Sequence, residues 1–249
     1  MQIGCGGTGS YLVPPLYKYL SSISKFETIN IIYYLIDHDV VEGKNCARQN
    51  FTVDMIGATK VNALKDRYED PKHQIIQTYD TMVDEQHFDT IEDLLTSIRP
   101  TLNIVIGCVD TLNARKNIVT VINNVCKKEL IDFNESSLWY IDSGNFIQSG
   151  QSLVLSYNDG IKSIMSNSMI LNAELFSNDY AEKIDKEVPS CTENGDQSIF
   201  ANFRAADIIY SIVTEILTRG TTTVSKVSFL RYHLDTTMDS VEQLKYGFV

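Results

Sequence analysis

Hydrophobic positions along this chain switch between continuous β-rich runs and stretches at helical spacing. Gln2-Ile3 reads as the end of a strand feeding a glycine-rich loop; only three residues precede Gly4, so the native strand is expected to begin upstream of Met1. Leu12, Leu16, Tyr17 and Leu20 mark the apolar face of a helix over Tyr11–Ile23, with Pro14-Pro15 expected in its first turns. Thr28–Ile36 is a continuous β-rich run, the pattern of a parallel strand covered on both faces. A helix over Ala58–Tyr68, a strand over Gln74–Tyr79 and a helix over Phe88–Ile98, closed by Pro100, come next. Leu102–Val109 is another buried strand, Leu112–Cys126 a helix, and Leu138–Ile141 and Gln151–Tyr157 two further strands.

Beyond Tyr157 the pattern changes. Residues 158–197 are rich in Asn, Ser, Asp and Glu with weak periodicity, which reads as a loop-rich excursion. Phe203, Ile208, Ile209, Ile212, Val213 and Ile216 then define an amphipathic helix over Phe200–Leu217 that stops before Gly220. Val224–Val249 reads as a strand pair. The alternation predicts an α/β fold: a doubly wound, mostly parallel, Rossmann-like sheet with helices on both faces and an antiparallel C-terminal extension. Residues 1–157 are expected to form the nucleotide-binding core. Residues 158–249 supply the crossover excursion, the long helix and the C-terminal strands that complete the same domain.

Composition narrows the function classes. With 43% hydrophobic and 21% charged residues, the 249-residue chain has the balance of a globular domain with a sizeable core. A net charge of −11, with no basic cluster beyond Lys127-Lys128, disfavours nucleic acid as a partner. No apolar run approaches the roughly 18 residues needed to span a bilayer, so no membrane partner is expected. Five cysteines at positions 5, 46, 108, 126 and 191 include no CxxC pair; they read as reduced thiols in a cytoplasmic protein, and no zinc site is expected. His38, His73, His87 and His233 show no metal-ligand spacing.

Gly4, Gly6 and Gly9 fit G-x-G-x-x-G between a strand and a helix, with Gly7 inside the same loop. Glycines there permit a tight turn and let backbone amides approach phosphate oxygens at the positive end of a helix. Asp37, at the end of the second strand, is placed to accept from ribose hydroxyls. That much suits NAD, FAD or ATP. Arg48 and Lys60 have no task in an NAD site but would clamp a triphosphate, and Asp110, at the carboxyl end of Leu102–Val109, is a candidate Mg²⁺ ligand.

Gly4-x-Gly6-Gly7-x-Gly9-Ser10, Asp37-x-Asp39-x-Val41-Glu42-x-x-Asn45-x-x-Arg48-Gln49, Lys60 and Asp110-x-x-x-x-Arg115 together resemble the signature of the ThiF/MoeB adenylating enzymes, whose fold also forms the adenylation domain of ubiquitin-activating enzymes. The form of the loop, with the later Pro189-Ser190-Cys191, is most similar to ThiF-type proteins of plasmid and phage-borne systems. The resemblance covers residues 1–150 well and the remainder loosely.

The resemblance implies an adenylyltransferase using ATP and Mg²⁺. Gly4, Gly6, Gly7 and Gly9 would hold phosphates and Asp37 the ribose. Asn45, Arg48 and Lys60 would orient and neutralise the triphosphate, and Asp110 would hold Mg²⁺. Asp39, Gln49 and Arg115 match the pattern and could serve either the nucleotide or packing. The substrate would be the C-terminal carboxylate of a ubiquitin-like or sulfur-carrier protein, ionised at neutral pH because an α-carboxyl titrates near 3.5, and the enzyme a homodimer. Cys191 would take the acyl group as a thioester, or is simply one loop cysteine among five. Cys5, Cys46, Cys108 and Cys126 read as packing residues. Two other readings stay open on the residues alone: a catalytically silent scaffold that binds a partner, and an NAD-dependent oxidoreductase.

Overall fold

The computed structural model describes residues 1–27, 29–96, 101–132, 136–145, 149–157, 199–230 and 237–240. Its elements in chain order are β1 (Gln2–Ile3), α1 (Gly7–Phe26), β2 (Tyr33–Ile36), α2 (Lys60–Tyr68), β3 (Ile76–Tyr79), α3 (Phe88–Thr96), β4 (Leu102–Gly107), α4 (Leu112–Lys127), β5 (Ser137–Asn145), β6 (Ser149–Tyr157), α5 (Ile199–Arg219), β7 (Val224–Leu230) and β8 (Thr237–Ser240). The strands form one eight-stranded sheet in the order β3-β2-β1-β4-β5-β6-β7-β8. β3, β2, β1, β4 and β5 run parallel, while β6, β7 and β8 continue the sheet antiparallel. This is the doubly wound sheet with an antiparallel extension that the alternation predicts.

Period-two alternation sorts the strand residues onto two cores. Leu35, Trp139, Ile141 and Val154 pack against α1, α2 and α5, while Ile36, Leu138, Tyr140 and Leu155 face α3 and α4. On α1 the stripe Leu12, Val13 and Leu16 is fully buried, each side chain contributing about 1.5–3 kcal/mol. The free edge of β3 is closed by the next-door helix: Glu69 accepts from the Ile75 and Ile76 amides, and Lys65 Nζ donates to the Ile76 carbonyl at 2.8 Å. An edge whose polar groups are engaged this way is a poor template for a second strand. Among the described residues no helix is long and apolar enough to cross a membrane.

Several boundaries differ from the sequence reading. Helix α1 starts at Gly7, not Tyr11, so Pro14 and Pro15 lie well inside it rather than in its first turns. Pro14 lacks the N–H that would bond the Ser10 carbonyl. Asn50 supplies the missing donor, its Nδ2 reaching Ser10 O at 3.1 Å while its own N–H donates to Ser10 Oγ at 2.9 Å. The proline thus ties the segment after Arg48 to the glycine loop's helix. Strand β2 begins at Tyr33, and β5 runs to Asn145, because antiparallel pairing with β6 continues as far as Asn145 opposite Gly150. The expected end of α3 at Ile98 with Pro100, the whole excursion with Cys191, and the chain after Ser240 lie outside the described residues.

β1 is bonded to β2 on one side and β4 on the other, and the chain leaves it in opposite senses to reach the two halves of the sheet. In open α/β sheets ligands occupy the crevice beyond the carboxyl ends of the strands at such a switch point.

Candidate nucleotide site

The glycine loop sits in that crevice, each glycine for a separate reason. Gly4 has φ of 94°, and a Cβ there would come 2.5 Å from the Cys108 carbonyl oxygen, so the loops after β1 and β4 touch only because this residue has no side chain. A Cβ on Gly9 would fall on the Gly4 carbonyl. At Gly7 it would meet the Asn202 amide of α5, 2.7 Å from Oδ1. Gly6 is the N-cap of α1 and is open; the atoms nearest its missing Cβ are Gln49 Nε2 at 3.6 Å and Lys60 Nζ at 4.0 Å. No side chain caps the helix and its first turn holds no acidic residue, so the positive end of a 20-residue helix is uncompensated by its own sequence.

Asp37, just past β2, accepts from the Cys5 amide at 2.6 Å and from the Asp39 amide at 2.8 Å. Burial pushes its pKa up, partly offset by Lys60 and by these two amides. Lys60 opens α2 with its side chain almost wholly buried, and its Nζ donates to Asp39 Oδ2 at 2.6 Å. For Asp39, burial works to raise the pKa, but the Lys60 contact outweighs it and the carboxyl titrates below its usual range. Asp37, His38 and Asp39 are, among the described residues, the group able to offer three metal-ligand atoms within 4.8 Å of one another.

Asn45 folds into a local turn in which its side chain accepts from the Glu42 amide at 2.8 Å. Its carbonyl accepts from the amides of Arg48 and Gln49. Arg48 is buried, and its carbonyl takes a hydrogen bond from Asn202 Nδ2 at 3.3 Å. Gln49 Oε1 is buried with no hydrogen-bond partner among the described residues, while its Nε2 lies beside Gly6.

Asp110 is exposed at the end of the β4 loop. Close by, Arg115 is tied to Asp142 Oδ1 at 3.2 Å, to the Val109 carbonyl at 2.8 Å and to the Ser143 carbonyl at 3.0 Å, with Tyr140 OH donating to the same Asp142 oxygen. Arg115 is therefore a bracket beneath the crevice.

The glycine loop, Asp37, Asp39, Gln49 and Lys60 are thus brought together, and Gly4 contacts the loop that leads to Asp110. Burial raises the thiols of Cys5 and Cys108, and lifts Cys126 to about 11, which keeps all three protonated and unreactive. Two site residues escaped sequence reasoning. Asn202 stands on the buried stripe of α5 with Ala205, Ala206 and Ile209, and a polar residue at an apolar-face position was the available signal. Gln2, fully buried in β1, gave none.

The residue pattern and the fold agree with comparisons to known proteins. The ThiF family model matches residues 2–243. Comparison with curated protein sequences gave no match. Among solved structures, PaaA superposes with a TM-score of 0.62 at 20% identity, covering 96% of this chain and 71% of its own. E. coli MccB with ATP gives 0.62 at 16% identity, and MccB with AMPCPP and MccA gives 0.61 at 16%. Each MccB match covers 96% of this chain, which spans 62% of the MccB chain. At these identities the structural likeness establishes the fold.

Proposed function

Since the chain belongs to the ThiF family, we propose that it catalyses the ATP-dependent adenylation of a carboxylate, with the C-terminus of a ubiquitin-like or sulfur-carrier protein as the substrate class. The observation that carries this reading is the convergence of the buried Lys60 Nζ and of Gln49 Nε2 on the open Gly6 position at an uncapped helix N-terminus. A cation, amide donors and a helix dipole aimed at one bare glycine suit a polyphosphate.

In this reading a carboxylate oxygen attacks the α-phosphorus of ATP. The bond from that phosphorus to the bridging oxygen breaks and pyrophosphate leaves, giving an acyl adenylate. The nucleophile is already ionised, so no general base is required. The protein's part is in-line positioning and neutralisation of phosphate charge. Asp37 binds the ribose, while Arg48 and Lys60 engage the phosphates, Lys60 leaving or sharing Asp39 to do so. Asp110, an exposed carboxylate after β4, would hold a divalent ion together with the phosphates, and Mg²⁺ there would withdraw charge from them. Onward transfer of the acyl group to a thiol would use Cys191, the cysteine of Pro189-Ser190-Cys191 to which the family resemblance points.

Calorimetric titration with Mg-ATP, run beside NAD, tests the reading. We expect ATP to bind, NAD not to bind, and Lys60→Ala to weaken ATP by about tenfold or more, the value of one charge-assisted hydrogen bond. Binding of NAD alone would establish an oxidoreductase, and binding of neither a scaffold.

A further inference from the structure

A glutamine in the central strand of a parallel sheet, with no exposed surface, must have its amide fully matched. Gln2 has it matched entirely by the glycine loop and one tyrosine. Its Nε2 donates to the Gly4 carbonyl at 3.0 Å and to the Gly9 carbonyl at 3.1 Å, and its Oε1 accepts from Tyr33 OH. Carbonyls can only accept, so the nitrogen end of the amide must face them and the tyrosine must donate to the other end.

The Gly4 carbonyl belongs to the same peptide plane as the Cys5 amide. In a trans peptide the two point opposite ways. With the carbonyl drawn down to Gln2, the Cys5 N–H is turned toward Asp37, and it donates to Asp37 Oδ2 at 2.6 Å. Tyr33, Gln2, the Gly4–Cys5 peptide and Asp37 form one continuous relay from the core to the crevice.

We propose that Gln2 is a positioning residue for ribose recognition: through the Gly4–Cys5 peptide it anchors Asp37 Oδ2, while the Asp39 amide holds Oδ1, and Tyr33 fixes Gln2. The proposal rests on Asp37 being the ribose-binding carboxylate of the site described above. Gly4 makes the control necessary, since a glycine, here at φ of 94°, imposes little intrinsic preference on the ψ that aims its carbonyl.

The test compares binding of Mg-ATP with that of Mg-2′,3′-dideoxy-ATP, which keeps the base and triphosphate but lacks both ribose hydroxyls. The variants are Gln2→Met, Tyr33→Phe and Asp37→Asn, each checked for a cooperative thermal transition. In the native protein ATP is favoured by about tenfold or more, one hydrogen bond to a charged group. Asp37→Asn removes most of that preference. Gln2→Met also reduces the ATP:dideoxy-ATP ratio severalfold, over and above any loss that the two ligands share, and Tyr33→Phe moves it the same way by less. A Gln2→Met protein that loses both ligands equally, its ratio intact, overturns the proposal, because a purely structural role weakens them together. If Gln2→Met does not fold, an unchanged ratio in Tyr33→Phe overturns it just as well. If Asp37→Asn leaves the ratio untouched, the ribose assignment itself falls and the proposal with it; ATP binding that persists in that variant shows the nucleotide reading surviving separately.

Discussion

Replacing Gly7 by alanine is expected to destabilise the protein even though the residue lies in a helix, where alanine is normally the better choice. Gly7 is the first residue of α1, and the change alone would gain about 0.5–1 kcal/mol of helix propensity. The added Cβ, however, would stand 2.7 Å from Asn202 Oδ1, 2.8 Å from Nδ2 and 2.9 Å from Cγ. Asn202 has no exposed surface and its Nδ2 is bonded to the Arg48 carbonyl, so it cannot swing away without breaking that bond and leaving buried polar groups unpaired, at about 1–3 kcal/mol. Overpacking adds a strain of similar size. The net expectation for Gly7→Ala is a loss of about 1–5 kcal/mol, a fall in Tm of roughly 2–20 °C for a chain of this size. Asn202→Ala alone loses a comparable amount by stranding the Arg48 carbonyl and opening a void. In the double variant the alanine methyl occupies the vacated space, the clash disappears and the propensity gain is realised. The two losses should therefore combine to less than their sum by about 1–2 kcal/mol. A double-mutant cycle by urea unfolding measures this directly. Additivity within about 0.5 kcal/mol would refute the view that Gly7 is small because α5 presses on it.

Two further outcomes follow from charges. Lys60→Met should remove the interaction that holds the Asp39 carboxyl below the usual carboxylate range. A depressed carboxylate contributes stability above its unfolded pKa and loses it as pH falls through the folded value. The stability gap between native and variant should therefore be largest at neutral pH and narrow below about pH 3.8, as read by chemical unfolding at a series of pH values. Arg115→Ala breaks a buried ion pair and frees two carbonyls, so it should cost about 3–5 kcal/mol in the same unfolding assay, with a cost under about 1 kcal/mol showing that the bracket carries no load.

Much of the fold was legible because burial writes itself into periodicity. The run through Ile36, the strand from Leu102 and the stripe from Phe203 to Ile216 could each be placed from apolar spacing, and the glycine loop with Asp37 and Lys60 from residue type. What escaped were features decided by a partner far away in the chain. Pro14 looked like a helix start because the amide that replaces its missing donor, that of Asn50, cannot be paired with it from sequence. The full length of β5 depended on β6. Gly7 read as a phosphate-loop glycine, and the structure gives it a second reason in Asn202. Gln2-Ile3 reads correctly as strand, but the bonds from the Gln2 amide to two loop carbonyls leave no trace in the sequence.

The polar residues hidden around the crevice share one action. Gln2 engages the Gly4 and Gly9 carbonyls, Asn202 the Arg48 carbonyl, and Arg115 those of Val109 and Ser143. Each of these donors fixes the direction of a main-chain oxygen. A carbonyl oxygen facing an anion would repel it, and in a low-dielectric cleft that repulsion is weakly screened. The side-chain atoms nearest the open Gly6 position, at the amino end of α1, are Gln49 Nε2 and Lys60 Nζ. A chain with a net charge of −11 has no general attraction for a polyphosphate. Under the proposed function its affinity for one would be built locally, by orienting peptide dipoles as much as by placing cations, and a glutamine, an asparagine and an arginine that engage main-chain oxygens would serve that end.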